Sequence, residues 1–217
     1  MKLVKTGIAG LDEFLTGGLP PKVLLLSGVP GSGNEVFARQ IAYVRAKEVG
    51  ITYFTVNTTA DNVREDMRLY NWDISPLEAE GKWRFESLKK TDDLVETVVG
   101  EMSRSHRTVI VDSFSELLLT RKIVEGINLL VEMSRQNRDG EEYHLLLLTE
   151  GMQDQKVETA MQHFAEGVII FNTTWTAEAT QRDILVKKMK GIVVPSRRLP
   201  YSIGKKGFLI ETATRIT

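Results

Sequence analysis

The segment Val23-Leu24-Leu25-Leu26-Ser27-Gly28-Val29-Pro30-Gly31-Ser32-Gly33-Asn34-Glu35 constrains the fold more than any other. A short apolar run that closes on glycine reads as a buried strand. Residues 34–47 then carry helical spacing, with Val36, Phe37, Ile41 and Val44 on one side. Between strand and helix, Gly28, Gly31 and Gly33 allow a tight turn that exposes backbone N–H groups. The alternation continues down the chain. Residues 52–56, 83–85, 108–111, 143–148 and 168–171 read as strands. Asp61 is expected to cap a helix running to about Asn71, and Thr91 one running through about Ser103; residues 123–135 form an amphipathic helix. Strands alternating with helices predict an α/β fold, a mostly parallel twisted sheet flanked by helices. After Phe171 the pattern changes. Residues 180–190 and 207–211 read as strands with no helix between them, which predicts antiparallel strands at the C-terminal edge. Nothing shifts mid-chain, so residues 1–217 are expected to form one domain.

Several function classes fall away on composition. There are no cysteines, which removes disulfides, thiol nucleophiles and cysteine-ligated zinc and suits an intracellular chain. His106, His144 and His163 are far apart and show no metal-ligand spacing. No apolar run approaches the ~20 residues of a membrane span, and the start Met1-Lys2-Leu3-Val4-Lys5 leads into no signal-peptide core. The cytoplasm is the expected location. A net charge of −1 sets up no global field for nucleic acid. The charge is nonetheless uneven: residues 57–101 hold eleven acids against six bases, and residues 182–206 hold eight bases against one acid. These are either two solvated faces or the two sides of a head-to-tail contact between copies of the chain.

A phosphate-binding loop has the pattern G-x-x-x-x-G-K-[ST] between a strand and a helix. Gly28, Pro30, Gly31, Ser32 and Gly33 keep its frame, but Asn34 stands where the lysine belongs and Glu35 where the Ser or Thr belongs. The lysine would neutralise phosphates and the hydroxyl would hold magnesium. A carboxylate ~4 Å from one phosphate charge is repelled by ~4 kcal/mol at an effective dielectric near 20, about three decades in affinity. Magnesium would soften this if Glu35 reached the ion, since carboxylates are good magnesium ligands. Alone, the segment reads equally well as a glycine turn joining a strand to a helix.

The remainder of the chain adds a resemblance. Residues 6–20, Thr6-Gly7-Ile8-Ala9-Gly10-Leu11-Asp12-Glu13-Phe14-Leu15-Thr16-Gly17-Gly18-Leu19-Pro20, are similar to the segment before the phosphate loop in the RecA, RadA and KaiC superfamily. Asn62-Val63-Arg64-Glu65-Asp66-Met67, Trp72-Asp73-Ile74 and Leu77-Glu78-Ala79-Glu80-Gly81 resemble the KaiC-like branch. Val109-Ile110-Val111-Asp112-Ser113 resembles its Walker B strand, and Lys188-Met189-Lys190-Gly191 its Lys-Met-Arg-Gly. The resemblance implies a RecA-like fold, ATP or ADP with magnesium as cofactor, and assembly with like subunits. It implies a magnesium role for Asp112, which otherwise reads as a strand-end acid capping a turn. It also implies that Lys188 and Lys190 reach a neighbour's γ-phosphate; without it they are a basic solvated strand.

The chain departs from that family at the chemical positions. Two glutamates that normally follow the second strand, one activating the attacking water, are replaced by Asn57 and Thr58. Pro21-Lys22 lacks the usual glycine before the first strand. The expectation is a KaiC-like pseudo-ATPase without catalytic residues, a regulatory or scaffolding partner of itself, of related subunits or of another protein. The alternative is a switch that binds ATP or ADP weakly through Gly28, Pro30, Gly31, Ser32, Gly33, Asn34, Glu35 and Asp112. Glu116, just beyond the Walker B strand, is the residue a relocated base would use, although nothing supplies the missing loop cation. A RadA-like role on DNA is disfavoured by the charge.

Overall fold

Residues 2–89 and 91–211 are described here from a computed structural model. Nine strands form one sheet: β1 (Val23–Gly28), β2 (Ile51–Thr55), β3 (Trp83–Ser87), β4 (Thr108–Asp112), β5 (His144–Thr149), β6 (Gly167–Trp175), β7 (Thr180–Met189), β8 (Leu199–Gly204) and β9 (Gly207–Ile210), in the order β3-β2-β4-β5-β1-β6-β7-β8-β9. The first six are parallel and the last three antiparallel. This is the α/β architecture expected from the sequence, with its antiparallel C-terminal edge.

Strand β1 sits in the centre, buried along its whole length, and its alternation serves two cores. Leu24 and Leu26 face helices α1 (Leu11–Phe14), α2 (Asn34–Ala46), α3 (Ala60–Arg68) and α4 (Ser75–Ala79). Val23 and Leu25 face α5 (Gly100–Ser105), α6 (Phe114–Thr120), α7 (Ile123–Gln136) and α8 (Gln155–Phe164). A strand covered on both faces needs apolar residues at every position, which is why 23–26 reads as an unbroken run.

Local capping differs from expectation at two places. Thr59, not Asp61, caps α3: its side chain accepts from the Asn62 N–H at 3.2 Å, while Asp61 turns to Arg64. Thr91 caps nothing. Asp92 accepts from the Lys89 N–H and Asp93 from the Glu96 N–H, so the chain turns before it coils, winds as a π-helix over Val95–Val99 and continues as α5. Helices α1, α4, α6 and α8 and strand β8 are additional to the elements read from the sequence.

The β8–β9 hairpin folds back over α2. Gln40 accepts from the Phe208 N–H at 2.7 Å and donates to its carbonyl at 3.2 Å, pairing as backbone would. The Phe37 ring meets Phe171 and Phe208 edge-on at 5.0 and 5.1 Å, and Tyr201 stacks on Phe208 at 4.2 Å. The hairpin thereby covers the start of α2 and the glycine loop beside it.

Candidate functional site at the strand ends

The C-terminal ends of β1, β2, β4 and β5 lie side by side, and sites of open α/β sheets form where strand order reverses at such ends. Here they bring together the loop 28–33, Asp112 and Thr149 around a pocket of about 270 Å³ lined by Pro30, Gly31, Asn34, Glu35, Arg39 and Asp112. A larger cavity, about 680 Å³, lies at the opposite end of the strands near Lys22, Arg45 and Glu142. There Arg45 pairs with Glu142 and Glu48, and Lys22 with Glu166 outside the lining; the glycine loop and the acid ending β4 line the smaller one, so we place the site there.

The glycines do what the spacing predicts. Gly31 (φ 81°) and Gly33 (φ 85°) are left-handed, a region costly for other residues. A Cβ on Gly33 would lie 2.1 Å from Ile203 Cδ1, whereas nothing lies within 4 Å of the corresponding point on Gly31. The loop is therefore covered on one side by β8 and open on the other. Tyr201 holds it from the covered side, donating its hydroxyl to the Ser32 carbonyl at 2.6 Å.

Asn34 does not face the pocket as a phosphate ligand would. Its buried amide donates inward to the carbonyls of Leu26 at 3.3 Å and Leu148 at 3.5 Å, tying β1 to β5. Its Oδ1 accepts from the Glu35 N–H at 3.1 Å and the Ser32 hydroxyl at 3.4 Å. One N–H at the start of α2 is thus satisfied by the chain itself rather than left for an anion. Glu35 is half-buried at the pocket edge.

Asp112 ends β4 and faces Arg39, one helical turn beyond Glu35. Arg39 Nη2 lies 3.3 Å from Asp112 Oδ2, Nη1 2.9 Å from Asp66 Oδ2, and Nε 3.3 Å from the Tyr53 hydroxyl. Tyr53 also donates to Asp112 Oδ2. Side-chain exposure is 11% for Arg39 and 13% for Asp112, so this ion pair is screened far less than a surface pair. Burial works against the Arg39 charge, but Tyr53 and Asp112 more than offset it and the pKa rises. Burial and then the Asp112 charge push the Tyr53 hydroxyl well up, so it stays a donor. Glu116 is raised as well, by burial first and by Asp112 second, with the Asn57 amide acting in the opposite direction. Its Oε2 is buried without a partner among the described residues.

Magnesium on Asp112 and Glu35 meets an obstacle in this arrangement. Magnesium demands a near-octahedral shell of oxygens. The facing Asp112 oxygen already accepts from a guanidinium and a phenol, and no three His, Asp or Glu side chains converge as a metal site among the described residues. The donor set does not fit the ion.

Lys188 and Lys190 lie on and just beyond β7, away from this cluster. Lys188 Nζ donates to the carbonyls of Gln162, His163 and Ala165 at 3.4, 2.6 and 2.6 Å, so all three of its donors close the C-terminus of α8. Lys190 is exposed. Sequence reasoning missed Arg39, Tyr53 and Tyr201. The four-residue step from Glu35 to Arg39, which sets Arg39 below the loop on the same helical face, was the available signal.

A parallel sheet with a glycine loop after its central strand and an acid ending a neighbouring strand defines an α/β protein of the nucleotide-site architecture. Comparison with known proteins gives the family. The chain belongs to the family described as ATPase: KaiC, which matches residues 4–215. It is 25% identical over 237 residues to a UPF0273 protein of Thermotoga maritima, covering 97% of this chain and 96% of that one. It is 26% identical over 247 residues to UPF0273 protein MJ1359 of Methanocaldococcus jannaschii, with the same coverage. In fold it is similar to the KaiC-like protein PH0186 of Pyrococcus horikoshii OT3, with a TM-score of 0.83 at 22% identity over 97% of this chain and 99% of that one.

Proposed function

We propose that this chain is a non-catalytic member of the KaiC family, a single RecA-type domain over residues 1–217 with a degenerate phosphate loop, working in the cytoplasm as a regulatory or scaffolding partner of other proteins. The observation that carries this reading is the inward turn of Asn34. The residue at the loop's cation position is spent on the Leu26 and Leu148 carbonyls, and it carries no charge to offer a phosphate. Asn57 and Thr58, at the positions of the family's glutamates, are not bases at neutral pH. In solution we expect a second copy or a related subunit to be bound through the basic segment 182–206, with the exposed Lys190 making the contact, because Lys188 is engaged within its own chain. No helix among the described residues is long and apolar enough to cross a membrane.

The test is ATP hydrolysis by the purified chain, expected at background. Turnover of even ~1 per minute, abolished by Asp112→Ala, would sink the reading; typical enzymes turn over at about 10 per second, so the assay has room. A second reading is a switch that binds ATP or ADP weakly. It is favoured by the open side of Gly31 beside the pocket. A rise in melting temperature with ATP in the unmodified protein would favour it over the first.

A further inference from the structure

The family implies a divalent ion at the acid that ends β4, yet the residues around Asp112 do not fit one. We propose that Arg39 is the resident cation of this site: its guanidinium occupies the Asp112 carboxylate that a divalent ion would otherwise bind, so the site neither takes nor needs magnesium. This deepens the non-catalytic reading and rests on it only for the identity of the site.

The placement follows from α2. Side chains of a helix lean toward its N-terminus, so a residue one turn into a helix that starts at the glycine loop reaches back to the strand ends. Arg39 does so with its whole fork. Nε, Nη1 and Nη2 each have their own acceptor, on β2, α3 and β4 respectively. A guanidinium is planar, weakly hydrated and always charged, which suits a buried carboxylate better than an ammonium would. The Tyr53 hydroxyl takes a second position on the same Asp112 oxygen. Both acceptor positions of Asp112 Oδ2 are therefore committed. Asn34 Oδ1, another oxygen at the pocket, already accepts from the Glu35 N–H and the Ser32 hydroxyl. Seating a metal ion means expelling a buried guanidinium and leaving Asp66 and Tyr53 without it.

The experiment is a Mn²⁺ titration of the full chain followed by the paramagnetic resonance of the free ion, paired with melting curves in chelator and in Mg²⁺. The unmodified protein is expected to leave the Mn²⁺ signal as in buffer and to melt at one temperature in both conditions. Arg39→Met is expected to gain a Mg²⁺-dependent rise of roughly 5–10 °C at about 100 times Kd, lost again when Asp112→Asn is added. Tyr53→Phe, which keeps the guanidinium, is expected to stay blind to metal. Mn²⁺ binding by the unmodified chain that Asp112→Asn abolishes would overturn the proposal. So would a folded Arg39→Met that gains no metal response, or metal binding gained by Tyr53→Phe. If Arg39→Met does not fold, the comparison of the unmodified chain with Asp112→Asn and Tyr53→Phe still decides. Metal binding without hydrolysis would remove Arg39 from this role and leave the non-catalytic reading standing. Hydrolysis by a metal-blind protein would do the reverse.

Discussion

Replacing Asn34 with lysine and Glu35 with threonine should turn this loop into a nucleotide binder without making it an enzyme. The structure sets both sides of the magnitude. Asn34 loses two long donor bonds, at 3.3 and 3.5 Å, and two accepted ones. Bonds of that length lie at the weak end of the usual range, so the cost is about 1 kcal/mol. For a chain of this size that lowers the melting temperature by roughly 2–4 °C. In return, removing the Glu35 carboxylate lifts a repulsion of ~4 kcal/mol per phosphate charge at ~4 Å, and the new ammonium adds attraction. Nucleotide at about 100 times Kd should then raise the melting temperature by roughly 5–10 °C. The shift should be the same in chelator as in Mg²⁺, because Arg39 still holds Asp112. Hydrolysis should stay at background, since Asn57 and Thr58 are unchanged. The assay is differential scanning fluorimetry with ATP and ADP, followed by phosphate release. A double variant that melts cooperatively within a few degrees of the parent, yet shows no nucleotide shift, would refute the loop as a latent phosphate cradle.

Two further outcomes are expected. His144 is buried, accepts from the Val109 N–H at 3.0 Å, and is held down to about 3 by burial. The unfolded chain takes up that proton first, near pH 6.5, so stability falls as pH drops from about 6.5 toward 3. The loss by pH 5 is about 2 kcal/mol. Urea melts at pH 7.5 and 5.0 should show a smaller loss for His144→Asn, which keeps an acceptor and cannot titrate; equal losses would contradict this. Lys188 and Lys190 should separate cleanly. Lys188→Met should destabilise the fold by about 2 kcal/mol by uncapping α8, with particle mass by light scattering unchanged. Lys190→Glu should leave the melting temperature alone and lower the particle mass at low salt, as should salt added to the unmodified protein. A strict monomer at high concentration and low salt would rule the contact out.

The sequence exposed those parts of the fold that rest on local pattern. The apolar run of β1 and the period of α2 locate two central elements, and the glycines at 28, 31 and 33 locate the turn between them. Thr59 was lost to Asp61 because both are good caps and only the backbone path decides which precedes the first turn. The site was half legible. Asn34 and Glu35 stand out by position, because the loop pattern is short and contiguous, and Asp112 stands out as the acid that ends an apolar strand. Arg39 looked like one more polar residue on a half-exposed helix; its partner lies 73 residues away, and only the register of β4 beside β2 brings them together. Lys188 was misleading for the same reason. An ammonium on a strand looks available until the C-terminus of α8 is seen beneath it.

The clamp of Tyr201 on the Ser32 carbonyl has a consequence for how the chain is made. The two residues are 169 positions apart, and Gln40 meets Phe208 across 168. At about 5–20 residues per second, the glycine loop leaves the ribosome roughly 10–30 s before the hairpin that covers it exists. Contacts of such long separation close late. For that interval the nascent chain presents an open turn and a bare α2 face where Phe37 awaits Phe208. The final geometry of the loop is thus set by residues synthesised long after it rather than by the glycines that make it possible.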